Sequence, residues 1–209
     1  MTRNEIAKRD QALAKQEQAR TEQQLHNWDW IAADCSGSMA SPAFEGKSRI
    51  NCLREAVKPY AGRVQVLAFG TLGPNELSFV QADEIPNACA GTPMSAAIKK
   101  LAELEPLHIL IVSDGQPTDS VYDEQEPASR ILDSKSSALH WAKKLADQCV
   151  IDVMYIGPEN ADAQNFMQEL ARTGRGRYVR FDMNVQSPLM LSTTVGKMLA
   201  LPAPGAIEL

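Results

Sequence analysis

Asp34, Ser36 and Ser38 stand at alternate positions in "DCSGSM", directly after the apolar run Trp30–Ala33. A carboxylate and two hydroxyls grouped this way can serve three chemistries: a nucleophile, a helix cap or a set of oxygen ligands. A nucleophilic serine needs a base, normally histidine, and usually a third group to orient that base. The three histidines, His26, His108 and His140, lie away from the strand ends, and "CSGSM" is not G-x-S-x-G. A phosphatase that used Asp34 as nucleophile would want a second carboxylate as acid/base, commonly two residues on, where this chain has Ser36. Both enzymatic readings are therefore disfavoured. Capping remains open for Ser36 and Ser38, and equally for Thr92 at the start of a helix. Asp114 could be read as stabilising the turn at Gly115.

The elements around these residues decide between caps and ligands. "WDWIAAD" reads as a strand. "KSRINCLREAVKPY" places Ile50, Leu53, Val57 and Tyr60 at helical spacing, and Pro59 marks its end. "RVQVLAFG" and "ELSFVQ" are strands joined directly through "GPN", which makes the second an antiparallel edge strand. "TPMSAAIKKLAEL" opens on Thr92 as N-cap with Pro93 at the first helical position. Its apolar face runs through Met94, Ala97, Ile98, Leu101 and Leu104. "HILIVSDG" is a continuous apolar run ending at Asp114, as a strand buried on both faces requires. A helix over 134–149 turns Leu139, Ala142, Leu145 and Cys149 inward. Then come the strand "VIDVMYIG", a helix that Gly174 terminates, the strand "RYVRF", and a last helix from Ser187–Pro188. Such alternation predicts an α/β fold: a doubly wound, mostly parallel six-stranded sheet with one antiparallel edge strand and helices on both faces.

In that architecture ligands bind outside the carboxyl ends of the strands. Asp34 ends the first strand, Asp114 ends a strand that should neighbour it, and Thr92 opens the helix leading into the latter. Two carboxylates and three hydroxyls thus converge from three loops. Hard oxygen donors without His or thiolate select a hard divalent cation: Mg²⁺ first, with Mn²⁺ or Ca²⁺ able to substitute. Neutral hydroxyl ligands leave the ion much of its positive charge, which invites a carboxylate from another molecule.

"DCSGSM", "GTPMSAAI" and "SDGQPTD" resemble, in order and spacing, the three loops of the von Willebrand factor A (VWA) domain. In that family the loops build a metal-ion-dependent adhesion site whose first loop reads D-x-S-x-S. The resemblance covers about residues 28–200, and no motif position departs from it. It assigns the metal site to Asp34, Ser36, Ser38, Thr92 and Asp114. Ser36, Ser38 and, in the liganded state, Thr92 would bind the ion directly. Asp34 and Asp114 would act mainly through waters and hydrogen bonds that orient those ligands. "LARTGRGRYVRF" looks like the family's glycine turn before its last strand, which makes a solvated turn the expectation for Arg172, Arg175, Arg177 and Arg180. Trp28 and Trp30 read as packing residues on one strand face, and Asp119 and Asp123 as soluble loop residues or an acidic rim.

The divisions expected are an N-terminal helical extension over 1–26, the VWA domain over 27–201 and a tail over 202–209. The extension has high helix propensity but only Ile6, Leu13 and Leu25 as larger apolar residues, so it is either solvated or a docking or self-association arm. A net charge of −5 argues against nucleic acid as a partner. No apolar stretch resembles a signal peptide or a membrane span. The four scattered cysteines form no C-x-x-C, so reduced thiols in the cytoplasm are expected, with a Cys35–Cys89 bridge left open.

The functional expectation is a non-enzymatic protein-binding module of intracellular bacterial or phage type. Its Mg²⁺ would be completed by an Asp or Glu of a partner protein. Relatives of that type often act as adaptors for AAA+ ATPases or in stress-response systems. This chain has no P-loop, so any ATPase would be a separate protein. The alternatives are a structural subunit of a large assembly such as a virion, or a metal-dependent hydrolase.

Overall fold

The computed structural model describes residues 29–72, 76–119 and 133–199. The expectations for the helical extension, Trp28, Asp123 and the tail lie outside the described residues. Six strands form one sheet: β1 (Asp29–Asp34), β2 (Val64–Phe69), β3 (Leu77–Val80), β4 (His108–Ser113), β5 (Val150–Tyr155) and β6 (Arg175–Arg180). Among the described residues five α-helices accompany them: α1 (Arg49–Val57), α2 (Met94–Ala102), α3 (Ser134–Leu145), α4 (Ala161–Thr173) and α5 (Pro188–Met198).

The strand order is β3-β2-β1-β4-β5-β6, and only β3 runs antiparallel, on β2. The two-residue alternation of side chains splits the central strands cleanly. Ile31, Ala33, Val66, Leu110 and Val112 pack on one face with Leu53 and Val57 of α1 and Leu191 and Val195 of α5. Trp30, Ala32, Leu67, Ile109, Ile111 and Val153 pack on the other with Ile98, Trp141 and Phe166 from α2, α3 and α4. Two apolar layers, one on each face, explain why these strands read as unbroken hydrophobic runs. Trp30 is a packing residue, as expected, 1% exposed.

Most helix starts carry a side-chain cap. Ser48, Asp133, Asn160 and Ser187 each accept a backbone N–H three residues on. Two expectations change. Helix α2 begins at Met94 with Pro93 in the cap position, and Thr92 makes no side-chain cap. The carboxylate of Asp119 does this work from a distant loop, accepting from Ser95 N–H at 3.0 Å and Ala96 N–H at 2.8 Å. Gly174 does end α4, yet with φ of −78°, and the left-handed residue is Arg175 at φ 57°. What the position demands is space, because a Cβ on Gly174 would lie 2.4 Å from Cβ of Ile151.

The amino edge of the sheet holds an ionic cluster. Asp152, 1% exposed on β5, accepts from His108 Nε2 at 3.2 Å and from Arg177 through its backbone N–H, its Nε and its Nη2. Arg177 Nη2 also donates to the carbonyl of Met198 at the end of α5. Arg177 therefore ties helix to sheet while most of its side chain stays in solvent. Arg172, Arg175, Arg177 and Arg180 are all exposed, as expected, but they form no turn: Arg172 lies on α4 and the other three on β6. His108 opens β4 here, on the edge opposite the carboxyl strand ends, with Nδ1 3.3 Å from Asp29. Burial pushes the His108 imidazole down, but its bonds to Asp152 and Asp29 outweigh that and hold it up at about 9.

Candidate metal centre

From β1 the chain continues to β2 on one side, while β4 and β5 lie on the other, so the carboxyl ends of β1 and β4 flank the topological switch point. Asp34 is the last residue of β1, and Asp114 directly follows β4.

Asp34 is fully buried, and both of its oxygens are engaged. Oδ1 accepts from Ser36 N–H at 2.8 Å, closing a tight turn, and Oδ2 accepts from Ser113 Oγ at 2.5 Å. Burial pushes its carboxyl up from 3.8 to about 6, against the lowering effect of the bonds from Ser113 and Ser36. Beyond it runs a chain of oxygens. The hydroxyls of Ser36 and Ser38 lie 3.0 Å apart, and Ser38 Oγ donates to Asp114 Oδ1 at 2.7 Å. Because Ser38 donates its one hydroxyl proton to Asp114, Ser36 is the donor across the 3.0 Å contact, and one lone pair of Ser38 Oγ remains for an electron-pair acceptor.

The second loop is fastened to the first by backbone. Cys89 N–H donates to the Cys35 carbonyl at 3.0 Å and Gly37 N–H to that of Ala90 at 2.8 Å, which makes a short parallel bridge between Ser36 and Ala90. Two residues on, Thr92 is 7% exposed. Thr92 N–H donates to Thr118 Oγ1 at 2.8 Å and Thr118 N–H returns a bond to the Thr92 carbonyl at 3.0 Å, fastening the second loop to the third. All five residues expected at the site thus lie at this edge: Asp34 at the end of β1, and Ser36, Ser38, Thr92 and Asp114 on loops joined to one another.

Two glycines let the loops approach so closely. Gly70, at the end of β2, has φ +79°, and a Cβ there would lie 2.6 Å from the Gly91 carbonyl oxygen and 2.8 Å from Ser36 N. A Cβ on Gly157, after β5, would lie 2.3 Å from the Asp114 carbonyl oxygen.

Four contributors escape sequence reading. Ser113 shares the motif loop with Asp114 and could have been suspected from that position alone. Thr118 sits in the same loop without a spacing signal. Asp119 reads as a rim residue but serves as a cap. Arg49, the first residue of α1, donates from Nη1 to Asp114 Oδ2 at 2.8 Å and to the Ser38 carbonyl at 3.2 Å. Its side chain is 10% exposed and that of Asp114 0%. Nothing in a local motif announces this contact, since it bridges residues 65 apart in sequence.

The donor set fits a hard cation. Among the described residues, no three His, Cys, Asp or Glu side chains cluster as a metal site, so an ion here would rest on hydroxyls. Cis oxygens of an octahedron with metal–oxygen distances of about 2.0–2.1 Å lie about 2.8–3.0 Å apart. The Ser36–Ser38 separation of 3.0 Å matches that edge. Cys35 beside them packs in the apolar layer with Ile31 and Ala33, its Sγ donating to the Ala33 carbonyl at 3.8 Å, and burial pushes its thiol up to about 12.

No protein-family model matches this chain, and no curated protein matches it. Solved structures do. The conserved hypothetical protein BatB from Bacteroides thetaiotaomicron is 18% identical, with a TM-score of 0.53 over 82% of this chain and 98% of that one. The PilB minor pilin from Streptococcus sanguinis is 15% identical, with a TM-score of 0.61 over 84% of this chain and 60% of the pilin. A von Willebrand factor type A protein from Catenulispora acidiphila is 18% identical, with a TM-score of 0.55 over 84% of this chain and 42% of its own. Identities this low speak to architecture alone, and that architecture, a six-stranded sheet with one antiparallel edge between two helical layers, is the von Willebrand factor type A fold.

Proposed function

We propose that this chain is a non-enzymatic protein-binding module whose grip depends on a divalent cation at the carboxyl ends of β1 and β4. The carrying observation is the oxygen chain from Ser36 to Ser38 to Asp114, with the two hydroxyls at the spacing of an octahedral edge. In this reading Ser36 and Ser38 bind Mg²⁺ directly, and Thr92 joins them when a ligand is bound. Asp34 and Asp114 orient the ligands through the hydrogen bonds described above. Mn²⁺ or Ca²⁺ can substitute. The bound ion supplies an electrophilic position that an Asp or Glu of a partner protein completes.

A binding role is supported by the surroundings of the oxygen chain. A serine nucleophile wants a histidine, and His108 stands at the opposite edge of the sheet. The described cysteines are all free, Cys89 even while exposed, which fits a reducing compartment. No described helix is long and apolar enough to cross a membrane. We accordingly assign the module to the cytoplasm, as adaptor or subunit of an intracellular complex with a separate ATPase or stress-response machinery.

The test is a pull-down from lysate with wild type and Ser36→Ala, each in Mg²⁺ and in EDTA. A partner retained only by wild type in Mg²⁺ is the expected result. Equal retention in all four conditions overturns the metal-bridged mechanism.

A further inference from the structure

Arg49 is the one feature of the site that a cation site does not call for. A guanidinium beside the ion repels it. Yet Arg49 is buried, ion-paired to Asp114 at 2.8 Å and bonded to the Ser38 carbonyl, so it is anchored to the first and third loops at once. Its place is fixed further by the Ser48 cap, which starts α1 at Arg49 itself. With so little solvent between them, these charges are weakly screened.

Formal charge shows what this does. Asp34, Asp114 and Arg49 together leave the ion-free site with one negative charge in excess. A divalent ion turns that into one excess positive charge, and a single carboxylate from outside then brings the site to neutrality. Without Arg49 the ion alone would neutralise both aspartates, and an incoming carboxylate would meet a balanced site and make it negative. Arg49 thus moves the point of charge balance from the ion-loaded state to the state that holds ion and carboxylate together.

Building on the cation-dependent binding proposed above, we infer that Arg49 couples the two ligands: the protein alone holds a divalent ion weakly, and an anionic carboxylate ligand makes it hold that ion tightly. By linkage the ion raises the affinity for the carboxylate by the same factor. Metal occupancy then follows partner occupancy, and the module does not carry a tightly bound ion between partners.

The experiment measures Mn²⁺ binding to the full chain by electron paramagnetic resonance, with and without acetate as the carboxylate probe. Wild type should bind Mn²⁺ about tenfold more tightly in acetate, a coupling of ordinary size. Arg49→Gln keeps a donor for Asp114 but removes the charge. It should bind Mn²⁺ about tenfold more tightly than wild type without acetate and gain little from acetate. Arg49→Lys should keep the acetate gain, which a purely steric role would not predict. Wild type that binds Mn²⁺ with no gain from acetate overturns the coupling whether or not the variants fold. So does an Arg49→Gln that behaves as wild type, and in both cases the cation site itself survives. Failure of wild type to bind Mn²⁺ any better than Ser36→Ala overturns the site, and the coupling with it.

Discussion

Asp34 should be a burden on the metal-free fold. Its carboxyl is fully buried and titrates at about 6 rather than 3.8. Between those values the folded chain keeps a proton that the unfolded chain has released, so stability falls as pH rises through the window. Above it the cost is complete, and a shift of this size corresponds to about 3 kcal/mol. Asp34→Asn removes the charge with little change of shape. Its carbonyl can still accept from Ser36 N–H, and its amide can donate to Ser113 Oγ, whose proton can then turn to the Gly115 carbonyl, now 3.5 Å away. Allowing about 1 kcal/mol for that poorer geometry, the variant should gain about 2 kcal/mol at neutral pH in EDTA. For a chain of this size that is a rise in Tm of about 4–8 °C. The gain should vanish below the ordinary carboxylate range, where wild-type Asp34 is protonated in both states. Mg²⁺ should then reverse the order, stabilising wild type by about 2.7 kcal/mol at a hundredfold excess over Kd while leaving Asp34→Asn nearly unmoved. Thermal unfolding across pH, with and without Mg²⁺, checks all of this. An Asp34→Asn protein less stable than wild type at neutral pH in EDTA would refute the reasoning.

Three further outcomes can be measured on the same apparatus. Gly70→Ala must hold a left-handed φ and push a methyl against the Gly91 carbonyl and Ser36 N, so it should cost about 3 kcal/mol and abolish Mn²⁺ binding. Asp119→Ala uncaps α2 and should lower stability by about 1 kcal/mol in denaturant titration, with an effect on the cation through Thr92. His108 contributes stability that is full below 6.5 and lost as pH rises through about 9, and with an 18% exposed side chain this amounts to about 2–3 kcal/mol. His108→Gln should flatten that alkaline slope, while Asp152, held down at about 2 by His108 and Arg177 against the upward push of burial, keeps its contribution until strongly acid pH.

The sheet was legible because its rules are local. Apolar runs of strand length, the turn residues before β3 and Ser187–Pro188 at the start of α5 each sit within a few residues of what they determine. That Asp34, Ser36, Ser38, Thr92 and Asp114 gather at one edge was legible for a different reason: a parallel sheet collects the carboxyl ends of its strands there, so motif residues far apart in sequence become neighbours by topology. What stayed hidden depends on which side chain crosses a gap between elements. Arg49 is an ordinary first-turn residue until α1 is docked beside Asp114, and Asp119 is an ordinary loop acid until its carboxylate reaches the amides of α2. Gly174 and Arg175 exchange the roles that propensity would give them, because Ile151 fills the space a side chain on Gly174 would need.

The parallel bridge between Ser36 and Ala90 has a consequence for anyone who would move this site elsewhere. The hydroxyl-bearing turn is held as though it were the last rung of the sheet, with its partner rung supplied by a segment more than fifty residues away. A hexapeptide graft of "DCSGSM" into another parallel sheet would bring the donors without the rung that fixes their backbone. The transplantable unit is both segments together, over a β2 end that carries glycine at position 70.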